Sequence, residues 1–141
     1  MVLYGGKYLY ELDVINAVKG YLESNGFGIK QVVGKASDHG ADLIASSPDG
    51  KELWVEAKGQ GSSSNTARAG LEFSRNQKVD HVSRALYTAC KYVSQGHMAG
   101  IALPGDNEHR KIISAIASSI EKLGIVVYFV DPKTKGVTTV R

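Results

Sequence analysis

GADLIASSPDGKELWVEAKG, residues 40–59, reads as two apolar strands joined by a Pro-Asp-Gly turn. A carboxylate, Asp42, interrupts the first run, and Glu56 and Lys58 interrupt the second. Alternate side chains of a strand share a face, so Trp54, Glu56 and Lys58 point one way and Leu53, Val55 and Ala57 the other. Asp42 shares its face with Ile44. The tight turn makes the two strands neighbours, which brings Asp42 near Glu56 with Lys58 one step along. Two carboxylates held together repel, and raise each other's pKa, unless a cation lies between them. A hard divalent ion takes one or two carboxylates plus water and phosphate oxygens. The hairpin therefore reads as a rigid holder for Mg²⁺, with Mn²⁺ able to substitute. The competing reading is a solvated strand face, but the bulky flanks of LWVEAK suit a central strand better than an edge.

Working outward, residues 8–25 read as a helix with Leu12, Ile15, Val18 and Leu22 on one side, ended by SNGFG. At 100° per residue Glu11 falls on that same inward stripe, where a glutamate is uncommon unless paired or liganding. FGIKQVV (27–33) is a strand. GQGSSSNTARAG (59–70) is a loop rich in Gly, Ser and Asn. Residues 74–94 read as a helix on Val79, Val82, Leu86, Ala89 and Val93. AGIALP is a buried strand, 107–123 a helix on Ile112, Ile116, Ile120 and Leu123, and IVVYFV a strand, with VTTV as a further edge strand. The order is helix, three strands, helix, strand, helix, strand. Three successive strands imply an antiparallel meander, and the strand–helix–strand units imply parallel pairing. An α/β domain follows, its mixed central sheet flanked by helices on both faces.

With 141 residues, one domain spanning 1–141 is expected, large enough for a real core. The 43% hydrophobic and 22% charged residues are a globular balance. A formal charge of +3 and a pI near 8.9 permit a nucleic-acid partner without requiring one. The lone cysteine, Cys90, rules out an internal disulfide, and no Cys/His set has zinc-finger spacing. No signal peptide is evident and no apolar run is long enough to span a membrane, so a soluble, cytoplasmic protein is expected.

The helix carrying Glu11, the GAD at Asp42 and the EAK of Glu56–Lys58 resemble the PD-(D/E)xK, or restriction-endonuclease-like, nuclease superfamily. The resemblance covers about residues 8–130, including the order of elements. The stretch EAKGQGSSSNTARAGLEFSRNQKVDHVSRALYTA also resembles bacterial members of that superfamily. The architecture is similar to archaeal Holliday junction resolvases and Mrr-like restriction enzymes. Ala41 stands where the family name has proline, at a variable position. The resemblance implies that Asp42 and Glu56 bind the metal with the Ala57 carbonyl, that Glu11 binds directly or through water, and that Lys58 is the catalytic lysine. It also places a glutamine such as Gln77 beside the active site.

That chemistry is sound from below. Phosphodiester hydrolysis needs a hydroxide near neutral pH and a counter to charge growing on phosphate, which a metal and an ammonium supply. Gln77, His81, Arg84 and Thr88 form a polar stripe on the second helix. Gln77 could bond a phosphate or the carboxylates, and His81 could act as a base or positioning group, against a solvated polar face as the plain alternative. Gln60 and Arg68 lie in the loop leaving Lys58, where substrate would enter, and Arg68 is a phosphate contact. His39 is close enough in sequence to reach the metal. His97, His109 and Cys90 read as packing residues. The expectation is a Mg²⁺-dependent endonuclease, with DNA ahead of RNA as substrate and no membrane partner. An RNA-cleaving toxin-type nuclease and a catalytically inactive nucleic-acid-binding module on the same fold are the alternatives. Tyr4, Tyr8 and Tyr10 could contribute to a homodimer interface.

Overall fold

A computed structural model describes residues 8–32, 40–61 and 72–140. Six strands run in sequence order across one sheet: β1 (Gly28–Val32), β2 (Leu43–Ser46), β3 (Glu52–Ala57), β4 (Met98–Pro104), β5 (Val126–Val130) and β6 (Val137–Val140). β1, β2 and β3 pair antiparallel; β3, β4 and β5 pair parallel; β6 returns antiparallel. The meander followed by parallel crossovers is the order read from the sequence. β3 lies in the middle of the sheet and alternates half-buried and buried residues along its length.

Helix α1 (Glu11–Ser24) covers one face through Val14, Ile15, Val18 and Leu22, packed with Leu43, Val55 and Ala57. Leu12, assigned to the inward stripe, is exposed, and Val14 takes its place in the core. Helix α2 (Arg75–Ser94) covers the other face. Its innermost stripe is Lys78, Val82, Ala85, Ala89 and Tyr92: Val82 and Ala89 are as expected, while Lys78, Ala85 and Tyr92 take the places of Val79, Leu86 and Val93. The two alanines let the helix lie close to β4, and Val79 is left at the surface.

The helix expected over 107–123 is two: α3 (Asn107–Ser114) and α4 (Ala117–Leu123). The break falls where Ile116 leaves helical geometry and its N–H bonds Ile113 by an i to i−3 contact. Each piece still buries one isoleucine in the core on the α2 side, Ile113 and Ile120, while Leu123 is exposed. No helix among the described residues is long and apolar enough to cross a membrane.

Candidate active site

The turn at Pro48–Gly50 closes as expected: Gly50 takes φ +89, which a residue with a Cβ adopts at a cost, and its N–H bonds Ser47. The register Leu43↔Val55 places Asp42, just before β2, across from Glu56 on β3. Asp42 lies outside the strand rather than within it. Its Oδ2 accepts the Ala57 N–H at 2.9 Å, which fixes the carboxylate over the end of β3. Glu56 Oε1 accepts the Tyr92 hydroxyl at 3.1 Å, and Lys58 Nζ stands 3.9 Å from Glu56 Oε2. All three side chains are half-buried.

The electrostatics follow from that placement. Burial pushes the Asp42 carboxyl up, opposed by the Ala57 N–H and by Lys58. Burial, then repulsion from Asp42, raises Glu56, opposed by Lys58 and the Tyr92 hydroxyl. Tyr92 itself is held far above the usual phenol value by burial and by the Glu56 charge it donates to. Glu11 is the first residue of α1 and is exposed, not inward as its stripe suggested, because one turn of helix carries it past the core. Its carboxylate still loses enough hydration, and feels Asp42 strongly enough, to be pushed up to about 7. Glu11, Asp42, Glu56 and Lys58 thus act on one another in a single field. Among the described residues no three His, Cys, Asp or Glu side chains form a ready-made metal cage. Asp42 and Glu56 form a close pair of oxygen donors, with Glu11 standing off.

A second constellation holds the ends of these elements together. Gln60 is buried: its N–H bonds the Leu9 carbonyl at 2.7 Å, and its Oε1 accepts the Leu9 N–H at 2.9 Å. Its Nε2 donates to Asp106 Oδ2 at 2.9 Å. Gln60 is therefore a brace tying the entry of α1 to the exit of β3, not a residue open to substrate. Gly59 fits only without a Cβ, which would lie 2.6 Å from the Glu11 amide nitrogen. Phe73 N–H bonds the Gln60 carbonyl, and Gly61 bridges Glu72, so these two stretches lie side by side.

Asp106 caps α3 through the His109 N–H and accepts from His109 Nδ1 at 2.9 Å. Burial alone would raise it, but the bonds from His109 and Gln60 hold it well below the usual carboxylate range. Lys78, fully buried, reaches Glu108 at 2.7 Å, Asp106 at 3.5 Å and Glu72. Burial would lower its pKa, but the bonds to Glu108 and Glu72 more than offset that and raise it. Sequence reasoning missed Lys78 and took His109 for an incidental residue. The signal for Lys78 was its i, i+4, i+7 spacing with Val82 and Ala85.

Of the flanking residues, Gln77 caps its own helix: its Oε1 accepts the Ser74 N–H at 2.8 Å while Ser74 Oγ accepts the Gln77 N–H. That reciprocal pair uses the Gln77 amide oxygen and its backbone N–H. His81 packs edge-on against Phe73 at 4.5 Å, and burial followed by the nearby Lys58 charge lowers its pKa. Arg84 is exposed and pairs with Asp80 at 3.2 Å. His97 stacks on Trp54 at 4.1 Å. Tyr8 and Tyr10 are half-buried. Arg68, His39 and Tyr4 lie outside the described residues.

A mixed sheet with helices on both faces, carrying an aspartate opposite a Glu-x-Lys strand, defines the restriction-endonuclease-like class of fold. The Mrr_cat family model, described as restriction endonuclease, matches residues 13–97, and the chain belongs to that family. The matched segment holds Asp42, Glu56 and Lys58, and begins two residues after Glu11. No curated protein matches the sequence. Among solved structures, Pyrococcus furiosus SfsA in complex with Ca²⁺ is similar at 15% identity, with a TM-score of 0.36, over 87% of this chain and 57% of that one. The chain thus spans less than two thirds of that structure's length.

Proposed function

We propose that the chain is a single-domain, divalent-metal-dependent endonuclease that hydrolyses phosphodiester bonds, with DNA as its substrate and Mg²⁺ as its ion. The observation that carries this reading is the half-buried Asp42–Glu56 pair. Its members are both raised in pKa, are fixed by the Ala57 N–H and the Tyr92 hydroxyl, and have Lys58 as the near cation. Such a pair costs stability unless a cation joins it, and its oxygen donors suit a hard ion. Asp42, Glu56 and the Ala57 carbonyl would hold Mg²⁺ or Mn²⁺, and Glu11 would act through water. When bound, the ion supplies a hydroxide near neutral pH and a counter-charge for phosphate.

The chain's own residues do the rest. Lys58 presents an ammonium beside Glu56, placed to meet charge growing on a phosphate oxygen. Its own backbone N–H is tied to the Ala102 carbonyl at 3.0 Å, so the side chain starts from a fixed point. His81, held neutral, is a candidate to orient a water or the substrate rather than to add charge.

The test is cleavage of plasmid DNA and of a structured RNA with and without Mg²⁺. Cleavage of DNA that stops in EDTA, and is lost in Asp42→Asn, Glu56→Gln and Lys58→Ala, is expected, with losses that do not add because the residues act as a unit. Full activity in metal-free buffer, or a Glu56→Gln variant cutting at the wild-type rate, overturns the reading. Cleavage of the RNA alone replaces DNA with RNA as substrate.

A further inference from the structure

A cleft of about 390 Å³ opens directly beside the Asp42–Glu56 pair, between the Trp54–Glu56 face of β3, Gly40 and the second half of α2. The α2 wall is Thr88, Lys91, Tyr92 and Gln95. These are spaced i, i+3, i+4 and i+7, so they share one side of the helix. Thr88 and Lys91 continue, toward the helix end, the polar stripe that begins at Gln77 and His81.

The walls differ in kind. Trp54 is rigid, stacked on His97 and bonded through Nε1 to Glu52 at 3.0 Å. Tyr92 is committed to Glu56. By contrast, the side chains of Thr88 and Gln95 make no hydrogen bond among the described residues, though each carries a donor and an acceptor. Lys91 adds a cation whose field reaches Glu56. At the rim, Tyr87 is 67% exposed, with Lys91 Nζ 5.3 Å from its ring centre. An exposed ring beside a cation is the kind of platform on which single-stranded bases stack.

We propose that this cleft seats one unpaired nucleotide of the substrate strand, adjoining the phosphate held at Asp42 and Glu56. Gln95 and Thr88 contact the base edge, and Lys91 contacts the neighbouring phosphate. The inference rests on the nuclease reading for the position of the scissile phosphate, because Glu56 is a wall of both sites. Its occupant is a single nucleotide because the cleft, about 390 Å³, lies between Trp54 on the sheet and one face of α2. Seated there, with its edge turned to Gln95 and Thr88, the base is unpaired. The preferred substrate is then a single strand, or a duplex with an unpaired nucleotide at the cut, where no base pair has to be opened first.

The experiment measures binding in EDTA, so it does not depend on cleavage. The probes are a single-stranded DNA oligonucleotide with one 2-aminopurine, the same strand in a perfect duplex, and a duplex leaving the 2-aminopurine unpaired. The expected result is tighter binding of the two probes with an unpaired base, accompanied by a change in 2-aminopurine emission. Gln95→Ala and Thr88→Val should each weaken binding of those probes by roughly three- to tenfold, the loss of about one hydrogen bond, and leave the perfect duplex within about twofold. Equal affinity for all three probes, or unchanged binding in both variants, overturns the cleft as a nucleotide seat, even if the protein cuts DNA. Selective binding that both variants lose, with no cleavage in Mg²⁺, keeps the seat and overturns the nuclease reading instead.

Discussion

Replacing Glu11 with glutamine should stabilise the metal-free protein at pH 8 and scarcely at all near pH 4.5. The Glu11 carboxyl is pushed from 4.5 to about 7, first by burial and then by Asp42, with Lys58 opposing and Glu56 adding. A carboxyl raised in the folded state keeps its proton after the unfolded chain has released its own. Stability therefore falls as pH climbs from about 4.5 to about 7 and stays at the lower level above. Taken at face value, about 2.5 pKa units at 1.36 kcal/mol each would be about 3.4 kcal/mol. Glu11 is exposed, so solvent screens most of that and about 1 kcal/mol is the realistic cost. A first-turn carboxylate on α1 also gains a few tenths of a kcal/mol, roughly 0.3–0.5, from the helix dipole, and glutamine forfeits it. The net gain is about 0.5 kcal/mol at pH 8, a shift of a few tenths of a molar, about 0.3 M, in the urea midpoint. Urea unfolding of both proteins in EDTA at the two pH values measures it. A Glu11→Gln protein less stable than wild type at pH 8, or one stabilised equally at both pH values, refutes the raised Glu11 carboxyl. Excess Mg²⁺ should then raise the melting temperature of wild type more than that of the variant, because the ion binds the folded site.

Lys78→Met removes the buried cation that Glu72, Asp106 and Glu108 share and should cost about 2–3 kcal/mol at pH 7. That is below the usual 3–5 for a broken buried pair, because two of those acids keep 35% and 40% of their exposure. Because the bonds to Glu108 and Glu72 raise the Lys78 pKa, wild type should keep this contribution from neutral pH up to the unfolded-state value and lose it as the pH climbs through the higher folded value; urea titrations at alkaline pH check it. Gly59→Ala drives a Cβ to 2.6 Å from the Glu11 nitrogen and 2.8 Å from the Tyr10 carbonyl carbon, both backbone atoms that cannot swing aside. It should cost about 1–3 kcal/mol and, by moving Glu11, lower cleavage further than its stability loss explains. A variant within about 0.5 kcal/mol of wild type, cutting normally, would show that α1 tolerates the shift.

The sheet was legible because its signals are local. The Pro48–Gly50 turn fixes the β2–β3 register, and that register alone sets Asp42 against Glu56. The alternation along β3 says which side of Glu56 is buried. What misled was the weight given to large apolar residues in a helix. Val82 and Ala89 were read correctly, but Val79, Leu86 and Val93 outrank Lys78, Ala85 and Tyr92 in hydropathy, so those three positions were drawn one residue late. The small residues in fact mark the closest approach of α2 to the sheet, and that rotation turns Lys78 inward.

The braces were illegible for a different reason. Gln60, Glu72, Lys78, Asp106 and His109 come from three stretches of chain with no fixed spacing, and each is ordinary in its own segment. Only the fold shows that Asp106 must receive both Gln60 and His109 while facing Lys78. Yet this network bears directly on the site. Gln60, two residues after Lys58, bonds Leu9, two residues before Glu11, so the distance between Glu11 and Lys58 is set by a buried amide rather than by the charges themselves. Such an arrangement is what a site of mutually repelling acids needs. The repulsion among Glu11, Asp42 and Glu56 would otherwise push α1 away from β3, and the cheapest place to resist it is where the two chains already hydrogen-bond in both directions. The cost of holding the acids together is thus carried outside the site, by the buried Gln60 amide that bonds both Leu9 and Asp106, and the carboxylates remain free to bind what the site is built for.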